Sequence, residues 1–184
     1  RNDKQKQQWS GGPITGDNTG VEIYCTIFTI AESPAQKGVI WVGTDDGLVQ
    51  VTRDGGATWK NVTAGLKGLP EWSTIGMVEP SRTAAGTAYV VADAHRLDDQ
   101  RPYLWRTTDF GATWTRLDVK LDGKVEDGVY LRTVREDPTD PRVLWLGTEK
   151  GVRYSTDGGS TWQKLKAGMP TVAVSDLVLK DRSL

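Results

Sequence analysis

The sequence predicts an all-β fold, a β-propeller segment of about three complete four-stranded blades plus the start of another. Three observations predict it. An eight-residue phrase recurs as Thr52-x-Asp54-x-Gly56-x-Thr58-Trp59, Thr107-x-Asp109-x-Gly111-x-Thr113-Trp114 and Ser155-x-Asp157-x-Gly159-x-Thr161-Trp162. Its aspartates, at 54, 109 and 157, lie 55 and 48 residues apart, the repeat length of a four-stranded blade. Short β-branched and aromatic runs fill the intervals, fenced by Gly, Pro or Asp, and no sustained 3.6-residue apolar period marks a helix.

Residues 1–24 form an N-terminal segment without a phrase of its own, expected to complete a neighbouring blade. The first blade, 25–72, offers strands over 26–31, 39–44, 48–52 and 59–62. A second, 73–129, offers 74–78, 88–92, 103–107 and 114–117. The third, 130–170, offers 131–134, 143–148, 152–155 and 162–165. Residues 171–184 then begin a fourth unit, with 174–179 matching a first strand. Each first strand runs into a proline (Pro34, Pro80, Pro138), which lacks a ladder donor and pre-sets φ for a turn. Trp41, Tyr89 and Trp145 share one position of the second strand. The second blade is the longest, and its extra residues fall in a loop over 93–102 that holds the chain's single histidine.

The phrase itself reads as a hairpin corner between third and fourth strands. Its Asp accepts backbone N–H groups of its own turn, its Gly supplies a positive φ, and its Trp starts the fourth strand with a ring to bury between blades. A net hydrogen bond contributes about 1 kcal/mol, and a buried indole several times that. On this reading Asp54, Gly56, Thr58 and Trp59, Asp109, Gly111, Thr113 and Trp114, and Asp157, Gly159, Thr161 and Trp162 are structural residues. Three blades do not close a ring, so the arc is expected to belong to a larger propeller, with association of separate arcs as the alternative.

Composition narrows the function. With 23 basic and 24 acidic side chains in 184 residues, the net charge of −1 argues against a nucleic-acid surface. No run approaches the roughly 18 apolar residues of a membrane span. The polar opening Arg1 to Gln8 is not a signal peptide. Cys25 is alone among Ile23, Tyr24, Ile27 and Phe28 and reads as a small buried residue. No metal site and no cofactor is indicated.

The three phrases match the Asp box, or bacterial neuraminidase repeat, at every defining position. The chain accordingly resembles the Asp-box propellers: sialidases, xyloglucan-active glycosidases, photosystem II assembly factors and sortilin-type receptors. Stretches such as Gly43-Thr44-Asp45-Asp46-Gly47 and Trp9-Ser10-Gly11-Gly12-Pro13 are most similar to the long-blade sortilin-like and glycosidase-like bacterial proteins. The resemblance implies a secreted or periplasmic setting. It fixes architecture more firmly than activity, because one box serves enzymes, receptors and assembly factors.

A propeller carries its 2–3 and 4–1 loops on one face, opposite the corners. Here that face is built from Asp45-Asp46, the 93–102 loop, Glu149-Lys150 and the connectors 63–72, 121–129 and 167–171. The repeats place an acidic residue directly after each second strand: Asp45, Asp93 and Glu149. An arc of carboxylates suits a cation, a basic peptide or acid–base work on a sugar, and equally serves to start turns. In the xyloglucan-active enzymes a catalytic Asp sits in a similar strand-ending phrase, which makes Asp45 the catalytic candidate. His95, beside Arg96 and two aspartates, is either a loop base or ligand or a solvated side chain. A hydrolase would use aromatic platforms such as Trp72 or Tyr103 to line a groove for sugar rings. Two functions follow: a non-catalytic sortilin-like scaffold that binds protein or peptide through its loop face, or part of a secreted xyloglucanase-like glycoside hydrolase. The first needs no reactive constellation and is preferred.

Overall fold

The computed structural model describes residues 25–126, 128–166, 168 and 170–180. The segment 1–24 assigned to a neighbouring blade therefore lies outside the described residues. Three four-stranded antiparallel sheets follow one another along the chain, each in plain meander order. The first holds β1 (Ile27–Glu32), β2 (Ile40–Thr44), β3 (Val49–Thr52) and β4 (Lys60–Asn61). The second holds β5 (Thr74–Pro80), β6 (Ala88–Ala94), β7 (Asp99–Thr107) and β8 (Thr115–Arg116). A short hairpin, β9 (Lys120–Leu121) with β10 (Lys124–Val125), intervenes in what the sequence presented as a plain connector. The last sheet holds β11 (Leu131–Glu136), β12 (Leu144–Thr148), β13 (Gly151–Ser155) and β14 (Gln163–Lys164). All twelve expected runs lie on strands, and the described helical structure is two 3₁₀ turns, Thr63–Gly65 and His95–Leu97. These sheets are three blades of a β-propeller.

First strands pack beside first strands. β5 lies against β1 and β2, and β11 lies against β5 and β6, so the innermost strands surround a common axis. Two apolar cores fill the gaps between blades. One joins Trp41, Val49 and Val62 of the first blade to Ile75, Val90 and Trp105 of the second. The other joins Tyr89, Val91 and Leu104 to Leu131, Leu144 and Trp162. Polar ties reinforce the second gap: the Glu136 carboxylate accepts Ser81 Oγ at 2.7 Å and the Arg82 N–H at 3.0 Å. Arg135 there bridges Glu79 and Asp176 at 2.8 and 2.7 Å.

The repeated corners share one hydrogen-bond plan. Asp54 Oδ1 accepts the Thr58 N–H at 2.8 Å and the Thr52 hydroxyl at 2.7 Å, while Oδ2 accepts the Thr58 hydroxyl. Asp109 and Asp157 repeat it with Thr113 and Thr161. The preceding hydroxyl, of Thr52, Thr107 or Ser155, also accepts the N–H of Gly56, Gly111 or Gly159. Those glycines have φ of +100°, +78° and +89°, a conformation that costs other residues strain. Such bonds favour the ionised carboxylate, and hold Asp54 and Asp157 at about 2, with the partner threonine the largest cause.

Several expectations need correction. Trp162 is buried between blades and Trp114 is half-buried there, but Trp59 is 43% exposed, because its ring faces away from the second blade. Cys25 is half-buried rather than enclosed, with φ +76°. β5 runs two residues past its expected end and stops at Pro80, its last rung, opposite Ala88. Residues 172–179 lie on no strand, although Val174 donates its N–H to Thr148 O at 2.9 Å and crowds Gly147 as Ile75 crowds Gly43. They occupy a first-strand place beside β12.

Candidate functional site

The expected 93–102 loop is mostly strand. β6 and β7 extend into it, Ala94 pairs with Asp99, and one 3₁₀ turn at His95–Leu97 closes the hairpin. This geometry brings the histidine back over the channel mouth. The His95 backbone N–H and ring Nδ1 both reach Asp93, at 2.8 and 2.7 Å. Its ring stacks on Tyr130, which precedes β11 in the next blade, with centroids 4.8 Å apart and planes at 13°. The His95 side chain is 37% exposed and also makes an inter-blade contact.

Tyr130 in turn adjoins a cation. Arg132 Nη2 donates to the Tyr130 hydroxyl at 2.9 Å, and its Nε and Nη2 donate to Glu149 Oε2 at 2.9 and 2.7 Å. The Arg132 bond is the main reason that the Glu149 carboxyl is held below the usual carboxylate range. Burial first, then Glu149, pushes the Tyr130 hydroxyl up. Two of the three repeat-aligned acids, Asp93 and Glu149, thus join one cluster with His95, Tyr130 and Arg132. A cleft of about 260 Å³ opens beside it, lined by Phe28, Thr74, Gly76 and Leu131 together with Asp93, His95, Arg96, Arg132 and Ser175. Residues of all three first strands line it, so it is the loop-face mouth of the axial channel.

The third acid stays apart. Asp45 accepts the Thr26 N–H at 2.8 Å and the Thr26 hydroxyl at 2.9 Å, one oxygen each, and so closes its own blade. Its neighbour Asp46 turns inward, fully buried, and accepts the Thr44 hydroxyl at 2.5 Å. Tyr103 is not a ligand platform. It is 1% exposed, and its hydroxyl donates to Asp99 at 2.7 Å. Trp72 is half-buried in the connector before β5, with φ +69°. The corner aspartates Asp54, Asp109 and Asp157 follow third strands, at the opposite end of the blades from the cluster.

Residues 47–181 match the family model Sortilin-Vps10, described as sortilin, neurotensin receptor 3. The chain belongs to the Sortilin-Vps10 family. Over 143 residues, 73% of its length, this Sortilin-Vps10 chain is 28% identical to a xyloglucanase of Hypocrea jecorina (strain QM6a), of which it spans 17%. Among solved structures, an ancestral GH74 enzyme superposes with a TM-score of 0.58 and 19% identity, over 78% of this chain and 19% of that one. YCF48 bound to D1 peptide superposes with a TM-score of 0.55 and 21% identity, over 82% and 43%. At those identities the structural likeness establishes the propeller fold. The Sortilin-Vps10 match begins between β2 and β3 of the first blade, and it includes every cluster residue.

Sequence reasoning missed Tyr130 and Arg132. The signal available was the Tyr130-Leu131-Arg132 alternation at the start of β11. There Leu131 enters the core while its neighbours turn toward the mouth, and an Arg one strand from Glu149 suits a cross-strand ion pair.

Proposed function

We propose that the chain is a binding propeller whose loop face holds a protein or peptide, anchored at the channel mouth beside His95, Tyr130 and Arg132. The state of the carboxylates carries this reading. Glu149 is committed to Arg132 and held ionised, whereas a glycosidase's general acid needs a raised pKa. Asp45 has both oxygens occupied by Thr26. What the mouth offers instead is the His95 ring, held against Tyr130, and the Arg132 guanidinium, and arginine is among the side chains that dominate binding hot spots. The cleft is smaller than the roughly 300–1,000 Å³ of small-molecule sites, so it suits one anchoring side chain, with the rest of the ligand spread over the face. YCF48 demonstrates that a propeller of this fold accepts a peptide. A secreted location fits the relatives.

The second reading, a portion of a xyloglucan-active hydrolase, is favoured by the sequence similarity to xyloglucanases. One pair of variants in the intact protein separates the two. Arg132→Ala is expected to weaken peptide capture by about 30-fold, the roughly 2 kcal/mol of an arginine hot spot. Asp45→Ala is expected to leave both peptide capture and xyloglucan turnover where they were. If Asp45→Ala abolishes release of reducing ends from xyloglucan, the scaffold reading is wrong.

A further inference from the structure

Each first strand carries a β-bulge, and all three fall at the same repeat position. Ile27 pairs with Thr44 and Thr29 with Gly43, which leaves Phe28 as the extra residue. Ile75 pairs with Ala92 and Met77 with Val91, which leaves Gly76. Leu131 pairs with Thr148 and Thr133 with Gly147, which leaves Arg132. A bulge bends its strand and re-aims the unpaired residue. Here the three re-aimed positions converge, because Phe28, Gly76 and Arg132 all line the cleft at the channel mouth.

The positions differ in chemistry. Phe28 presents a ring that is 60% exposed. Arg132 presents a guanidinium paired with Glu149. Gly76 presents nothing, and neither backbone nor packing asks for a glycine there. Its backbone is not left-handed, and an added Cβ would meet only Arg132 O at 3.5 Å and Val91 O at 3.9 Å. At Gly43 and Gly147, by contrast, a Cβ would come within 2.5 Å of a packed neighbour. Glycine weakens a strand interior and marks places where something else approaches the backbone closely. The space over Gly76 is the floor of the cleft. Charge at the mouth is also unbalanced. Asp93 is taken up by His95 and Glu149 by Arg132, each at 2.7 Å. Arg96 lines the same cleft, is exposed, and makes no hydrogen bond or ion pair among the described residues.

We propose that the three bulge positions set the ligand preference of this propeller, and that the mouth takes a peptide in which an aromatic side chain adjoins a carboxylate. The ring lies over Gly76 and packs against Phe28, and the carboxylate reaches the spare guanidinium of Arg96. A basic neighbour to the ring is rejected, because Arg96 and Arg132 would both face it. The inference rests on the binding reading above and adds which peptide is taken and which residues choose it.

The experiment selects from a displayed library of random peptides on the intact polypeptide that contains this chain. Peptides with Asp or Glu next to Phe, Tyr or Trp are expected to dominate. Gly76→Val is expected to keep its Tm and to weaken capture of the selected peptides by about ten-fold, because the valine fills the floor that their ring needs. Arg96→Glu, at an exposed site, is expected to turn the selection toward Lys or Arg beside the aromatic residue. Loss of folding cannot imitate that reversal, so it decides even where the valine variant is unstable. Selected peptides without the aromatic–acid pairing, or an Arg96→Glu protein with the original preference, would overturn the proposal and leave the binding reading in place. So would undiminished capture by Gly76→Val. A library from which nothing is enriched would overturn both.

Discussion

Gly43→Ala is the sharpest test of how the blades are spaced. Gly43 sits in β2 with ordinary extended backbone, where alanine would normally be preferred to glycine by about 0.5–1 kcal/mol. Here its missing Cβ is the space into which the next blade packs. An added Cβ would stand 2.4 Å from Ile75 Cγ2 and 2.7 Å from Thr29 Cγ2. Carbon atoms rest about 3.5–4.0 Å apart, so both neighbours must retreat by roughly an ångström or the blades must part. Overpacking of that kind costs about 1–3 kcal/mol. A protein of this size loses about 2–4 °C of Tm per kcal/mol, which predicts a fall of about 2–12 °C. Denaturant unfolding of the single variants and of Gly43→Ala with Ile75→Ala completes a double-mutant cycle. Truncating Ile75 removes the clashing methyl, so the two losses should fall short of additive by more than about 1 kcal/mol. Gly76→Ala is the control, since its Cβ would meet only ordinary contacts, at 3.5 Å or more, and should cost less. A neutral or stabilising Gly43→Ala, or strict additivity with Ile75→Ala, would refute the close-approach argument.

Two further outcomes are expected. The corner carboxylates stay ionised to lower pH in the folded chain, Asp54 and Asp157 to about 2, against about 3.9 when unfolded. Their contribution is present above pH 4 and is lost as pH falls toward 2, so the urea midpoint should drop across that window. Replacing all three corner aspartates with asparagine should flatten it. Glu79 acts in the opposite sense, because burial raises its pKa despite Arg135; its protonated form is the better tolerated one. Separately, Arg153 is 1% exposed and grips Glu126 through two bonds, at 2.9 and 2.5 Å. Glu126→Ala leaves that guanidinium buried without its counter-ion and should cost about 3–5 kcal/mol in a chemical melt. Replacing both with apolar residues of similar size should cost far less, which would identify the penalty as an uncompensated charge.

Much of the fold was legible from local chemistry. The corners close on themselves: an Asp accepting from a Thr four residues on, and a Gly at positive φ, need no partner from elsewhere in the chain. Their spacing therefore announced the blade period, and the twelve strands followed where β-branched runs met turn residues. The arc of acids was legible too, because the repeat alignment alone put Asp45, Asp93 and Glu149 at one level. What each acid does was not. The same position is a strand-closing clasp for Thr26, a partner for His95, or an anchor for Arg132, according to which side chains the first strands place opposite it. Burial of the corner tryptophans likewise depends on the blade beside each one, so identical phrases give an enclosed ring at Trp162 and an open one at Trp59. The sequence by itself determined the hairpins, the period and the fold class, because those rest on contacts a few residues apart. Only the tertiary structure decided the channel-mouth cluster and the exposure of Trp59, because both depend on contacts between blades some fifty residues apart in the chain.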